Sequence, residues 1–357
     1  MSRLTYDYAI EVLNDYLGPL QSMLADPDTQ EIMVNRADTI FVERNGSISF
    51  VAGCHLDPDA LDRAITILAN INAKAQTQLL DARLPGLRLA AARHPVAIHG
   101  DMLSIRRHAR RRIGLADYER DGTFDVLPAA LSPFTHHRDA ALLSRLADGG
   151  AALREFFQWV MRERINVAFS GGTSSGKTTL LNAMIDAVPP DERIVTIEDT
   201  AELQVYAPNH VALETNLGIT IRELVRFSLR IRPDRIIVGE VRGAEAFDLM
   251  EALNTGHPGS IVSFHADSAD TAPARLESLI RMSDEGRLMT ITDLRHRIAS
   301  TFRFFVHAER QGAVRGPVEI REVTGVDRDR YITRCLFSRF ATAETTADSV
   351  TQELAHA

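Results

Sequence analysis

Nine consecutive residues, Gly171-Gly172-Thr173-Ser174-Ser175-Gly176-Lys177-Thr178-Thr179, satisfy the pattern G-x-x-x-x-G-K-[ST] and constrain this chain more than any other stretch. Glycines let the backbone turn back so that successive N–H groups point at a polyphosphate. The loop then opens onto a helix N-terminus, whose orphan donors and dipole favour anions. Lys177 is expected to reach the outer phosphates, and the Thr178 hydroxyl to bind Mg²⁺. The flanks fit, because Ile165 to Phe169 reads as a short buried strand and Leu180 to Ile185 continues a helix.

On the C-terminal side of residue 151 the pattern alternates. Helix Leu153 to Arg162, the strand and loop, strand Arg193 to Ile197, helix Ile221 to Ile231 and strand Arg235 to Val238 follow in order. Helix Ala244 to Leu253, strand Ser260 to Phe264 and helix Ala272 to Met282 continue the series. Such alternation predicts right-handed crossovers and a mostly parallel sheet. The last strands, Phe302 to Val306, Val318 to Val323 and Tyr331 to Phe337, lack intervening helices and predict an antiparallel edge.

The first part of the chain reads differently. Tyr6 to Leu20 has helical spacing with a break at Gly18-Pro19. Short strands over 31–35, 39–43 and 47–50 follow, with Asn45-Gly46 as the hairpin signal. Asp57-Pro58 introduces a helix through Ile71, and 87–91 and 102–106 read as further strands. These predict a small α+β domain over 1–112, a linker with short helices over 113–150, an α/β domain over 151–340 and a disordered tail over 341–357.

Composition narrows the class. A net charge of −8 argues against a chain whose main work is coating nucleic acid, so direct nucleic-acid binding is not expected. Two cysteines, Cys54 and Cys335, are too few for a disulfide framework or a four-Cys zinc site, which suits a reducing compartment. No basic-then-apolar leader pattern opens the sequence and no 18-residue apolar run occurs. A cytoplasmic location is expected, with any membrane contact peripheral.

Chemistry-bearing residues cluster at the carboxyl ends of the predicted parallel strands, where open sheets bind ligands. Ile197-Glu198-Asp199 places two carboxylates after an apolar run. Asp199 is also explained as a turn cap, Glu198 less well. Ile236-Ile237-Val238-Gly239-Glu240 ends in the acid expected to hold Mg²⁺ or its water. Ser263-Phe264-His265 puts a histidine at the next strand end, which reads either as a structural residue or as a phosphate-site residue. The basic run Arg106, Arg107, Arg110, Arg111 and Arg112 reads as a solvated face, an anionic-lipid contact or arginines offered to a nucleotide.

GGTSSGKTTLLNAM, VTIEDTAEL, LRIRPDRIIVGEVRG and TGHPGSIVSFHADS, in this order, resemble the phosphate loop, Asp box, Walker B segment and His box of the type II/type IV secretion traffic ATPases. The conjugal transfer branch is the most similar. QEIMVNRADTIFVERNG and GDMLSIRRH resemble that family's N-terminal domain. The resemblance implies a RecA-like ATPase domain behind a small α+β domain. It also implies a homo-hexameric ring working with inner-membrane components of a conjugation or type IV secretion machine, with ATP and Mg²⁺ bound. By the same resemblance, residues 171–179 (Gly171, Gly172, Thr173, Ser174, Ser175, Gly176, Lys177, Thr178 and Thr179) bind nucleotide. Thr178 and Glu240 hold the metal, Glu198 is the base for water and His265 senses the γ-phosphate. Arg88, Arg106 or Arg107 approaches a nucleotide, in the same subunit or its neighbour.

One departure stands out: most members have Gly where this loop has Ser174, which strains the loop if that position needs φ > 0. Within the family, a type II secretion or type IV pilus motor is the alternative, which the missing four-Cys module and AIRN-type motif disfavour. A RecA-like DNA translocase would need a basic path. A non-hydrolysing nucleotide-gated scaffold would lack a base or metal acid, yet Glu198 and Glu240 are both present.

Overall fold

The structure, a computed structural model, describes residues 15–72, 74, 78–107, 119–120, 140–328 and 330–340. Most of the opening helix, Arg110 to Arg112, most of the 113–150 stretch and the 341–357 tail lie outside these. The chain is α/β, and its described residues fall into two compact units: one within Met1–Thr135, Pro189–Ala201 and Tyr206–Ile236, the other within His136–Val188, Glu202–Val205 and Ile237–Ala357.

In the first unit, strands β1 (Thr29–Arg36), β2 (Thr39–Arg44), β3 (Ser47–Phe50), β4 (Leu79–Leu84), β5 (Leu87–Ala92) and β6 (Met102–Arg107) form a sheet of order β3-β2-β1-β6-β5-β4. Every pairing in it is antiparallel. The expected helix runs Pro58–Ile71, capped by the Asp57 side chain, which accepts from Asp59 N, with Pro at its start. Its stripe of Leu61, Ala64, Ile65 and Leu68 packs in one core with Ile32, Val34, Ile40 and Val42, residues that alternate along β1 and β2.

Period two sends the neighbours of Ile32 and Val34 to the other face, where polar Glu31 and Asn35 are buried on either side of apolar Met33. Glu31 is 2% exposed, accepts from Ser104 Oγ, and lies opposite Arg106 in the ladder. Burial raises its carboxyl above the usual range, while Ser104 and the charges of Arg193, Arg106 and Arg232 pull it back. Asn35 Nδ2 donates to Asn209 Oδ1 at 2.9 Å, Arg193 Nη1 donates to the same oxygen at 3.1 Å, and Arg232 forks onto Glu43 at 2.6 and 2.9 Å. These bonds tie the sheet to the 189–236 part of the same unit, which also holds the parallel pair β8 (Ile194–Glu198) and β9 (His210–Glu214).

In the second unit the strand order is β14-β13-β12-β7-β11-β10, from β7 (Val167–Gly171), β10 (Arg235–Val238, of which Ile237 and Val238 belong to this unit), β11 (Ile261–Phe264), β12 (Phe304–Gln311), β13 (Val314–Asp327) and β14 (Arg330–Ser338). The β10–β11, β11–β7 and β7–β12 pairings are parallel, and β12–β13 and β13–β14 are antiparallel, as the helix-free final strands predict. Helices Gly150–Arg162, Lys177–Ile185, Glu245–Asn254 and Ala272–Ile280 match the expected ones within a few residues. The division into 1–112, 113–150 and 151–340 follows sequence order, whereas the compact units gather 189–201 and 206–236 with the first sheet. No described helix is long and apolar enough to cross a membrane.

Candidate phosphate site

All five residues of β7 are buried, and its last, Gly171, has φ +149. A Cβ there would stand 2.2 Å from Ala308 O, so no other residue fits against β12 without backbone movement. The loop ends at Gly176, φ +91, which caps helix Lys177–Ile185. Between them Ser174 has φ +60, the left-handed conformation anticipated as a strain. Ser175 is 3% exposed, and its Oγ is buried without a hydrogen-bond partner among the described residues. A loop of glycines, a helix N-terminus and an unsatisfied buried hydroxyl fit a bound phosphate chain.

Lys177 Nζ donates to Gly171 O at 2.7 Å and Gly172 O at 2.9 Å. Burial pulls its ammonium below the ordinary lysine value, and the charge of Glu240 partly restores it. Thr178 Oγ1 donates to Glu202 Oε2 at 3.3 Å. Glu240 stands at the end of β10, where the apolar run predicts it. Burial alone would raise its carboxyl. The hydrogen bond from Arg242 Nη2 at 2.8 Å and the charges of Arg242, His265 and Lys177 outweigh that and hold it below the usual range.

His265 follows β11 and links these parts. Its Nδ1 lies 2.9 Å from Gly171 O, and since a carbonyl only accepts, Nδ1 carries the proton. Its Nε2 stands 2.9 Å from Glu240 Oε1, a close approach without hydrogen-bond geometry. Lys177, Glu240, His265 and the loop are thus brought together within one unit. Beside them lies a cavity of about 870 Å³, lined among others by Gly172, Thr173, Ser175, His265, Asp267 and Arg310.

The remaining candidates lie in the other unit. Glu198 ends β8, 5% exposed. Asp199 accepts from Thr215 Oγ1 at 2.9 Å, a long-range side-chain bond and not a turn cap. Arg88 pairs with Asp81 at 3.4 Å, and Arg107 Nη1 donates to Asp26 O. Arg106, opposite Arg88 in the ladder, is exposed and makes no hydrogen bond or ion pair among the described residues. Glu202, the partner of Thr178, was not singled out by the sequence. It lies beyond the apolar strand that flags Glu198, and nothing local marks it.

Ser174→Gly should stabilise the fold slightly. A non-glycine residue in this conformation costs roughly 1–2 kcal/mol, while glycine adds about 0.4–1 kcal/mol of unfolded-chain entropy. The strain is the larger, so a melting temperature above wild type is expected. A lower one would mean that the Ser174 side chain contributes more than its backbone costs.

A family model described as "Type II/IV secretion system protein" matches residues 14–307. The conjugal transfer protein TrbB of Rhizobium radiobacter is 33% identical over 333 residues, covering 91% of this chain and 93% of that protein. The type IV secretion system protein VirB11 of Brucella suis biovar 1 is 33% identical over 310 residues, 83% of this chain and 85% of that one. The crystal structure of the VirB11 ATPase from the Brucella suis type IV secretion system, in complex with sulphate, has a TM-score of 0.80 at 30% identity and covers 88% of this chain and 96% of that chain. With the family model matching most of its length, and these relatives at one-third identity, the chain belongs to the type II/IV secretion system protein family.

Proposed function

We propose that this protein is a Mg²⁺-dependent ATP hydrolase, a RecA-like motor that powers conjugative transfer or type IV secretion as a homo-hexameric ring on the cytoplasmic side of the inner membrane. The meeting of Lys177 and His265 on the Gly171 carbonyl, with Glu240 beside the other face of His265, carries this reading. The similarity to TrbB and VirB11 supports the choice of machine. The related VirB11 crystal structure is in complex with sulphate, a tetrahedral anion of the class a helix N-terminus and glycine-rich loop bind.

In this reading the loop N–H groups and Lys177 bind the phosphates, and Thr178 and Glu240 hold Mg²⁺, which neutralises phosphate charge. Glu198 takes a proton from the attacking water. His265, poised between the loop and Glu240, senses the γ-phosphate. Of the three arginines assigned to a nucleotide, Arg106 is the best suited, because Arg88 and Arg107 already serve Asp81 and the Asp26 carbonyl. The small α+β domain over 1–112 then supplies that arginine to its own or a neighbouring subunit.

The test is phosphate release from ATP by the purified protein. Turnover should require Mg²⁺, stop on chelation and return when Mg²⁺ is restored. ATP binding without release, with Mg²⁺ present and the protein assembled, would favour the nucleotide-gated scaffold instead.

A further inference from the structure

The β12–β13 hairpin runs past the end of β7 along the phosphate loop. In the parallel ladder His307 lies opposite Ser170 and Ala308 opposite Gly171, the last residue of β7. His307 Nδ1 and Ser170 Oγ are 2.9 Å apart, which fixes that register from the side chains as well. Glu309 and Arg310 therefore continue beside the loop, and both line the cavity that Gly172, Thr173 and Ser175 also line. On the returning strand, Arg315 passes the loop's other end: a Cβ on Gly176 would stand 3.1 Å from Arg315 Cβ and 3.5 Å from Gly316 N.

These two arginines face each other. Arg310 and Arg315 are directly opposite in the antiparallel ladder, one pair from the hairpin tip at Gln311 and Val314. Like charges in that relation destabilise a sheet. Further along this edge of the sheet arginines have acids: on β13 Arg321 meets Glu319 at 2.6 Å, and Arg334 of β14 meets Glu322 of β13 at 2.6 Å across the ladder. Among the described residues Arg310 and Arg315 have no acidic partner. Arg310 Nε donates only to Gly312 O at 3.1 Å, and Arg315 makes no hydrogen bond or ion pair among the described residues. Both are exposed, so their guanidinium groups are free to reorient.

A repulsive pair flanking a phosphate cradle has a physical use if an anion lies between its members, because guanidinium groups take phosphate oxygens in forked, charge-assisted bonds. We propose that Arg310 and Arg315 bind the phosphates of the nucleotide in cis, one at each end of the loop. This rests on the phosphate-loop reading above. It is independent of Arg88, Arg106 and Arg107, which belong to the other unit. The repulsion is then a small destabilisation of the free protein that nucleotide binding relieves.

The test uses the full chain with Arg310→Gln, Arg315→Gln, the double variant and the corresponding double Lys variant, with Lys177→Ala as reference. Binding of a fluorescent ADP with Mg²⁺ is measured at low and high salt, and melting temperature with and without ADP. The double Gln variant should lose about tenfold in affinity at low salt, the loss expected when charge-assisted hydrogen bonds are removed. The deficit should shrink at high salt, where exposed charges are screened. Its melting temperature without ADP should equal or exceed wild type, and the rise on adding ADP should be smaller. The Lys pair should keep most of the affinity.

Affinity within about twofold of wild type in the double Gln variant, while Lys177→Ala loses binding, overturns this inference alone. A melting temperature without ADP that falls together with affinity also overturns it, because the arginines then serve the hairpin's fold. Retained binding by Lys177→Ala overturns the phosphate-loop reading on which it rests.

Discussion

Lys177→Ala should remove most ATP turnover and most nucleotide affinity. The ammonium sits at the centre of the site, donating to Gly171 O and Gly172 O and feeling the charge of Glu240. Partial burial makes that charge costly to maintain without acceptors, which Gly171 and Gly172 supply here and phosphate oxygens would supply on binding. Removing one preorganised donor to developing charge typically lowers kcat by about 10²- to 10³-fold, and the lost phosphate contact adds a weakened affinity. Stability should change little, since the lysine's partners are loop carbonyls that water can replace. Isothermal titration with ATP and a turnover assay check both parts. Near-normal turnover in this variant would remove the loop from the active site.

Glu198→Gln should separate binding from chemistry. The variant keeps size and hydrogen-bonding capacity at the end of β8 but cannot accept a proton. ATP affinity should therefore stay close to wild type while kcat falls by roughly 10²-fold or more. Glu240→Gln should behave differently. Its carboxylate is held ionised by Arg242, His265 and Lys177 and is assigned to the metal, so its loss should weaken Mg²⁺-dependent nucleotide binding as well as turnover. If Glu240→Gln spares binding and stops hydrolysis while Glu198→Gln does not, the two roles are exchanged.

Much of this was legible in the sequence where the signal is local. The strand, loop and helix from Val167 to Ile185 follow from adjacent residues, as do the apolar runs that deliver Glu198, Glu240 and His265 to strand ends. β4 was missed although Leu80, Ala82 and Leu84 alternate over its six residues, a length at which period two already signals a strand. β9, His210–Glu214, carries three buried residues between polar ends, too few for a period. Helix Ile291–Thr301 buries only Leu294, Ile298 and Thr301, so its stripe is thin. Its Thr290–Asp293 cap was the available sign.

Long-range pairings left no sequence signal at all. Glu202 becomes Thr178's partner, and Arg310 and Arg315 become neighbours of the loop, only through the sheet register and the chain's path. The polar burial around Glu31 and Arg193 has the same origin: each residue alone reads as a surface charge, and only the covered second face of the first sheet makes it a core residue.

The most direct measurement is ATP turnover determined fraction by fraction across a size-exclusion profile with Mg²⁺ present. Hydrolysis should follow the hexamer's mass, with low specific activity in monomer fractions and in Lys177→Ala hexamers. Equal specific activity in monomer and hexamer fractions would contradict the ring motor. Well-assembled hexamers that bind ATP but release no phosphate would contradict the hydrolase itself.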